Sequence, residues 1–268
     1  DRCRSLHFGS HCCGQSVLGT VESIDALTAA QMREYFTRRY APNNMVVVCT
    51  GSFDWDRFCE TVEAVSGKWP AQEVGRSLTH FEGTKQKSRT EKANVKREHI
   101  CLMHTGVSAQ DPRRFAASLL GMIVGDDYGS RFYWDLVDKA LAEEASMQFN
   151  PMDGTGMFYC YLRCGTSNAS KVMGLVQDIF HDLVANGVRE DEVTKAQNKV
   201  LSALVLKNEL PMGRLVDLGF NWMYLGQYRP IEQDVEAIKA VRVEDVNRLI
   251  REVDLTSFTQ YSLGPAAK

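Results

Sequence analysis

The chain has 268 residues, 44% of them hydrophobic, enough to bury one large core or two modest ones without covalent staples. Its formal charge of -3 leaves no basic footprint for nucleic acid, and no apolar run approaches the roughly 18 residues that span a bilayer. Eight cysteines in a chain of this size do not make a small disulfide scaffold and form no paired C-x-x-C knuckles. Cys49, Cys101, Cys160 and Cys164 lie in strand-like apolar runs, which favours a reducing compartment, although an exported or organellar protein fits the same composition.

In chain order, the glycine-rich polar opening to Thr20 reads as a loop. A helix over Leu27 to Tyr40, capped by Thr28, is stopped by Ala41-Pro42-Asn43-Asn44, and Met45 to Thr50 reads as a buried strand. Asp54 caps a second helix to Val65, with Gly67 behind it. Residues 71 to 94 are polar and suit a linker or crossover. Val95 to Thr105 is the next strand, followed by a helix from Asp111-Pro112 through Val124, a turn over Asp126 to Ser130 and a helix over Arg131 to Leu141. Glu144 to Asn150 and Met157 to Arg163 form a hairpin around Pro151 to Gly156. Helices are expected over Ala169 to Ala185, Glu190 to Lys207, Arg214 to Leu225, Ile231 to Val235 and Val243 to Arg251, then a last strand over Phe258 to Leu263. This is an α+β pattern of two-layer α/β repeats, with a mixed, largely antiparallel sheet and helices on one face.

The chain also repeats itself. Val21-Glu22-Ser23-Ile24-Asp25-Ala26-Leu27 returns as Val235-Glu236-Ala237-Ile238-Lys239-Ala240-Val241, an offset of 214 residues from Val21 to Val235. Each copy continues into an amphipathic helix, with Met32, Tyr35 and Phe36 in the first matched by Val246, Leu249 and Ile250 in the second. Each then enters an apolar strand closed by glycine, Gly51 or Gly264. If the second copy begins near Val95, the same offset puts the start of the first before Asp1. The expected division is 1–75 as the C-terminal part of a first repeat domain, 76–94 as linker and 95–268 as a complete second repeat domain.

Val17-Leu18-Gly19-Thr20-Val21-Glu22-Ser23-Ile24, Tyr40-Ala41-Pro42-Asn43-Asn44-Met45 and Gly129-Ser130-Arg131-Phe132 carry a resemblance. On these the chain resembles the pitrilysin/insulinase family of zinc peptidases, which includes the mitochondrial processing peptidase. The resemblance implies a metalloendopeptidase whose H-x-x-E-H helix and a later glutamate hold zinc, with the motif glutamate as general base. None of that motif is present here. The family puts it before the Leu-Gly-Thr run, in the stretch the repeat assigns to the region upstream of Asp1. The implied role is therefore substrate-chamber wall and partner interface. The implied partners are a peptide or protein substrate, an upstream half-domain and a second homologous half, with no nucleic acid and no membrane. Zinc belongs to the parent protein, and this chain alone is expected to be inactive. The alternative is a non-catalytic homologue serving as a structural or regulatory subunit. An arginine and a tyrosine with which some members grip substrate backbone fall, by count from Ser130-Arg131, on Val137 and Glu144, so that pair is absent.

No catalytic, cofactor-binding or metal-ligating residue is expected in the chain itself. His7 and His11 have helical zinc-ligand spacing, but Gly9 opposes a helix and no glutamate lies between them. Cys12-Cys13 beside His11 are adjacent, a poor arrangement for chelating one ion. His99, Cys101 and Met103 share one strand face and His104 takes the other; Cys160, Leu162 and Cys164 share a face. His181 reads as solvated, and Asp126-Asp127 as part of a turn. Arg131, unfavourably placed at a helix start, calls for a carboxylate partner or a substrate carbonyl, with a structural ion pair favoured.

Overall fold

A computed structural model describes residues 1–75, 79 and 81–266. In chain order the elements are α1 (Arg2–Phe8), α2 (Val21–Asp25), α3 (Ala29–Arg39), α4 (Trp55–Ser66), β1 (Lys87–Glu91), β2 (Glu98–Gly106), α5 (Arg114–Gly125), β3 (Glu144–Pro151) and β4 (Gly156–Cys164). They continue with α6 (Ala169–Asn186), α7 (Glu190–Glu209), α8 (Pro211–Leu225), α9 (Ile231–Ala240), α10 (Val243–Glu252) and β5 (Thr259–Gly264). Two compact units emerge: Asp1–Ser16 with Thr79–Ser202 and Glu232–Lys268, and Val17–Leu78 with Ala203–Ile231.

The first unit is built on a five-stranded sheet of order β1-β5-β2-β4-β3, in which β1 runs parallel to β5 and the other pairs are antiparallel. Because strand side chains alternate, Ile100, Leu102 and His104 of β2 share a face with Phe158, Cys160 and Leu162 of β4. This face is the core. His104 meets the ring of Phe180 from α6, and α5 and α10 contribute buried Leu119, Leu120, Val246, Leu249 and Ile250. Helix α5 lies very close to β3: a Cβ on Gly125 would stand 2.0 Å from the Met147 backbone nitrogen, and one on Gly121 3.3 Å from that of Phe149. Only glycine allows that approach.

Several expectations change in this unit. The opening is not all loop. Cys3, His7 and Phe8 fall on one side of α1 and are buried against the sheet, so tertiary packing holds a helix that its seven residues could not sustain alone. The stretch expected as linker contains β1, whose Lys87, Arg89 and Glu91 suit an exposed sheet edge; residues 76–78 and 80 of that stretch lie outside the described residues. The helix expected from Arg131 to Leu141 is largely a π-helical turn over Tyr133–Val137, with Asp138 N–H donating to the Tyr133 carbonyl.

In the second unit the caps are as the sequence indicates. Thr28 and Gln31 form a reciprocal capping box on α3, and Asp54 accepts from the Arg57 N–H at the start of α4. The 214-residue offset reappears in structure, since the Asp245 carboxylate accepts from the Arg242 backbone N–H at the start of α10 as the Gln31 side chain accepts from that of Thr28 in α3. Burial differs sharply between the copies. Val246, Leu249 and Ile250 are 0%, 0% and 2% exposed, whereas Met32, Tyr35 and Phe36 are 61%, 56% and 54% exposed. Met45 to Thr50, expected as a buried strand, has extended backbone at Met45 but joins no sheet, and Val46 and Val47 face solvent. A strand needs a partner ladder, and among the described residues this segment has none.

Two histidines in the first unit couple its stability to pH. His104 packs edge-on against Phe180 and Phe258, neither ring nitrogen has a partner at hydrogen-bond distance, and burial lowers its pKa to about 3 despite slight compensation from Asp254. His7 has Thr259 Oγ1 at 3.0 Å from Nδ1 and Gly83 against its ring, and burial lowers its pKa to about 4. Both stay neutral in the fold while the unfolded chain takes up protons below about pH 6.5. The unfolded state then binds more protons, so stability is full above that pH and falls on acidification. Urea unfolding at pH 5 should show a loss of about 2 kcal/mol per histidine relative to pH 7, and His104→Leu should remove about half of the total.

Candidate functional site

The face of the sheet opposite the core is only partly covered. It carries His99, Cys101, Met103 and Thr105 of β2, Tyr161, Tyr159 and Met157 of β4, Tyr261 and Leu263 of β5, and Ser146, Gln148 and Asn150 of β3. Helix α1 lies over one end, where Cys3 and Phe8 cluster with Met103 and Met157. Arg2 Nη1 donates to Tyr261 Oη at 3.1 Å, and that phenol also bonds Thr90. What remains open is a depression of 590 Å3 floored by tyrosines and bordered by Gln148 and Asn150.

The phenols are held rather than free. Tyr161 Oη and His99 Nδ1 are 2.7 Å apart, and Tyr159 Oη lies 3.3 Å from Cys101 Sγ. Burial pushes the Tyr159 phenol and the Cys101 thiol up, and Cys3 is pushed up to about 12. Tyr261 is also pressed upward by burial, but its bonds to Thr90 and Arg2 outweigh that and leave it lowered. At neutral pH none of these raised groups is an anion, so the surface offers aromatic area and neutral hydrogen-bonding groups. Such groups suit binding, and the raised thiols are not poised as thiolate nucleophiles.

The residues weighed in the sequence fall into place around it. His99, Cys101 and Met103 share the open face and His104 the core face; Cys160, Leu162 and Cys164 are all buried beneath. His7 and His11 are held by separate partners, Thr259 and Thr79. His181 is exposed on α6, and Asp126 pairs with Lys199 beside the 126–130 turn. Val137 closes the π-helical turn, and Glu144 begins β3 with Arg163 3.9 Å away. The tyrosine surface was not singled out in the sequence, although Tyr159-Cys160-Tyr161 has the period-two spacing that marks one strand face.

A second depression, of 440 Å3, lies over α5, α6 and α7, and its cations Arg131, Arg189, Lys195 and Lys199 are all ion-paired. At its centre Arg131 forks onto Glu192, with Nε–Oε1 at 2.9 Å and Nη2–Oε2 at 3.0 Å, and also donates to Asp182 and the Gly187 carbonyl. The carboxylate demanded by its position is thus supplied within the fold. Both side chains are nearly enclosed, so Arg131→Ala would leave Glu192 only the Arg189 backbone N–H and the exposed Arg189 guanidinium in place of the fork. Chemical denaturation of Arg131→Ala should show a loss of about 3 kcal/mol, with little recovery by lysine, which lacks the fork.

Comparison with known proteins agrees with this architecture. A profile described as the peptidase M16 inactive domain matches residues 26–200. An uncharacterized zinc protease of Bacillus subtilis, YmxG, is 24% identical over 264 residues, covering 97% of this chain and 63% of its own length. The mitochondrial-processing peptidase subunit beta of Dictyostelium discoideum is 22% identical over 287 residues, covering all of this chain and 60% of its own. Among solved structures, the peptidase M16 inactive domain from Pseudomonas fluorescens superposes with a TM-score of 0.86 at 22% identity, covering 99% of this chain and 64% of that one. The chain belongs to the peptidase M16 family, the pitrilysin/insulinase type of metallopeptidase. It spans less than two thirds of the length of these relatives.

Proposed function

We propose that this chain is the part of a zinc-dependent metalloendopeptidase that forms one wall of a peptide-enclosing chamber and an interface to its partner half. The open tyrosine face carries the reading. Tyr159, Tyr161, Tyr261, Gln148 and Asn150, with His99 beside them, present hydrogen-bonding and aromatic groups, which suits contact with many unfolded sequences. The expected domain plan belongs to the same proposal: 1–75 closes a first repeat domain and 95–268 is a second. The exposed Met32, Tyr35 and Phe36, whose counterparts in the second repeat are buried, support a further α/β layer covering the first. Zinc and its general base belong to that upstream repeat.

The protein carrying this chain, assembled with its homologous half, should cleave unfolded peptides in a chelator-sensitive reaction. Tyr161→Ala should lower kcat/KM by about tenfold, chiefly through KM, since a wall contact is felt alike in ground and transition states. Failure to find any metal-dependent cleavage would leave the non-catalytic subunit as the function. Cleavage with an unchanged KM in the variant would remove the wall from this face.

A further inference from the structure

The turn that follows α1 gathers three ligands for a soft metal ion. His11 caps the Cys12–Gly14 turn, and its Nδ1 accepts from the Cys13 backbone N–H at 3.2 Å. A ring nitrogen that accepts carries no proton, so this imidazole is the Nε2–H tautomer, and Nε2 donates to Thr79 Oγ1 at 2.9 Å. The lone pair of Nδ1 therefore points toward the cysteine pair, with Cys12 Sγ 3.9 Å away. The ligand atoms of His11, Cys12 and Cys13 all lie within 4.8 Å of one another. An extended chain would turn Cys12 and Cys13 to opposite sides, which is the basis for expecting adjacent cysteines to chelate poorly. The tight turn keeps both beside the same imidazole.

The chemistry of the three is consistent. Zinc bound at about 2.3 Å by sulfur and about 2.0 Å by nitrogen in a tetrahedron sets neighbouring ligand atoms roughly 3.5 to 3.8 Å apart, so the cluster needs to contract by about 1 Å. Cys12 is exposed and can rotate to close that distance. On binding, the metal takes the place of the Cys13 N–H at Nδ1, while Thr79 continues to hold the ring through Nε2, as outer partners of metal-bound histidines do. Arg4, which donates to the Cys13 carbonyl at 2.7 Å, also lies near enough to favour the Cys13 thiolate against the burial and the Cys12 neighbour that raise it. The open side next to Cys12 leaves room for a fourth ligand from solvent.

We propose that His11 Nδ1, Cys12 Sγ and Cys13 Sγ form a three-ligand site for a soft d10 cation such as Zn2+ or Cd2+, open at its fourth position. It shares no residue with the upstream zinc of the proposed peptidase, and it stands or falls separately. Binding displaces thiol protons into solvent and forms two metal–sulfur bonds and one metal–nitrogen bond, with no change of oxidation state.

The test is a titration of the full chain with Cd2+ in a phosphine reductant, read by the ultraviolet thiolate-to-cadmium charge-transfer band, which an oxygen and nitrogen site cannot produce. One equivalent should bind with the intensity of two sulfurs, and Zn2+ should compete it away. Cys12→Ser and Cys13→Ser should each halve the band and weaken binding by more than about tenfold; His11→Gln should weaken it similarly while keeping two-sulfur intensity. Cys59→Ser, at another exposed cysteine, should change nothing. Far-UV circular dichroism matching the parent separates loss of a ligand from loss of fold. Absence of the band at micromolar cadmium, or its persistence in the Cys12→Ser, Cys13→Ser double variant, would overturn the site.

Discussion

The antiparallel pairing of β2 with β4, from Glu98 opposite Cys164 to Gly106 opposite Gly156, decides what each side chain of the sheet can do. Since strand side chains alternate, a slip of one residue would exchange Ile100, Leu102, Phe158 and Leu162 for His99, Cys101, Tyr159 and Tyr161 across the whole ladder. The helices α5, α6 and α10 hold the register by burying the first set. The second set is thereby committed to the opposite face, where α1 covers one end and the rest is open. A surface of tyrosines, one histidine and two amides thus follows from a packing requirement on the other side of the same strands.

The two copies of the repeat show how far local sequence carries a fold. Helices α3 and α10 have an N3 side chain reaching back to the N-cap N–H at the same offset and apolar residues in the same positions. Among the described residues α10 buries its face and packs on α5 and α6, whereas α3 buries none of its residues. At about 25 cal/mol per Å2 of apolar surface, a helix of this kind draws most of its stability from what its face buries rather than from its caps. The bare face of α3 and the unpaired Met45–Thr50 segment are two sides of that condition: among the described residues neither has a layer to bury it. The chain belongs to the peptidase M16 family and spans less than two thirds of the length of the relatives compared with it.

Polar groups are handled differently in different places. Arg131 and Glu192 satisfy each other by a planar fork, so a charge at an unfavourable helix start becomes a tie between α7 and the turn before it. His104 and His7 are buried without a carboxylate fork, and burial outweighs what Asp254 and Thr259 offer and keeps both neutral. The tyrosines lie between these cases, Tyr159 and Tyr161 anchored by one hydrogen bond each and Tyr261 by two.

The sequence by itself determined the elements whose causes are local: the caps at Thr28 and Asp54, the hairpin of β3 and β4, the alternating faces of β2 and β4, the repeat, and the family motifs from Val17 to Met45. It also indicated that Arg131 needs a partner, an ion pair in preference to a substrate carbonyl, because that demand comes from its own helix position. The tertiary structure alone decided the rest. A polar opening became α1 because a sheet face was there to bury Cys3, His7 and Phe8; a charged stretch became β1 because β5 offered an edge; and an apolar run at Met45 to Thr50 stayed unpaired because no neighbouring strand reached it. Which carboxylate met Arg131, and whether Cys12 and Cys13 converged on His11, depended on chain path and turn geometry. Periodicity states which residues share a face, but only the assembled chain settles what that face meets.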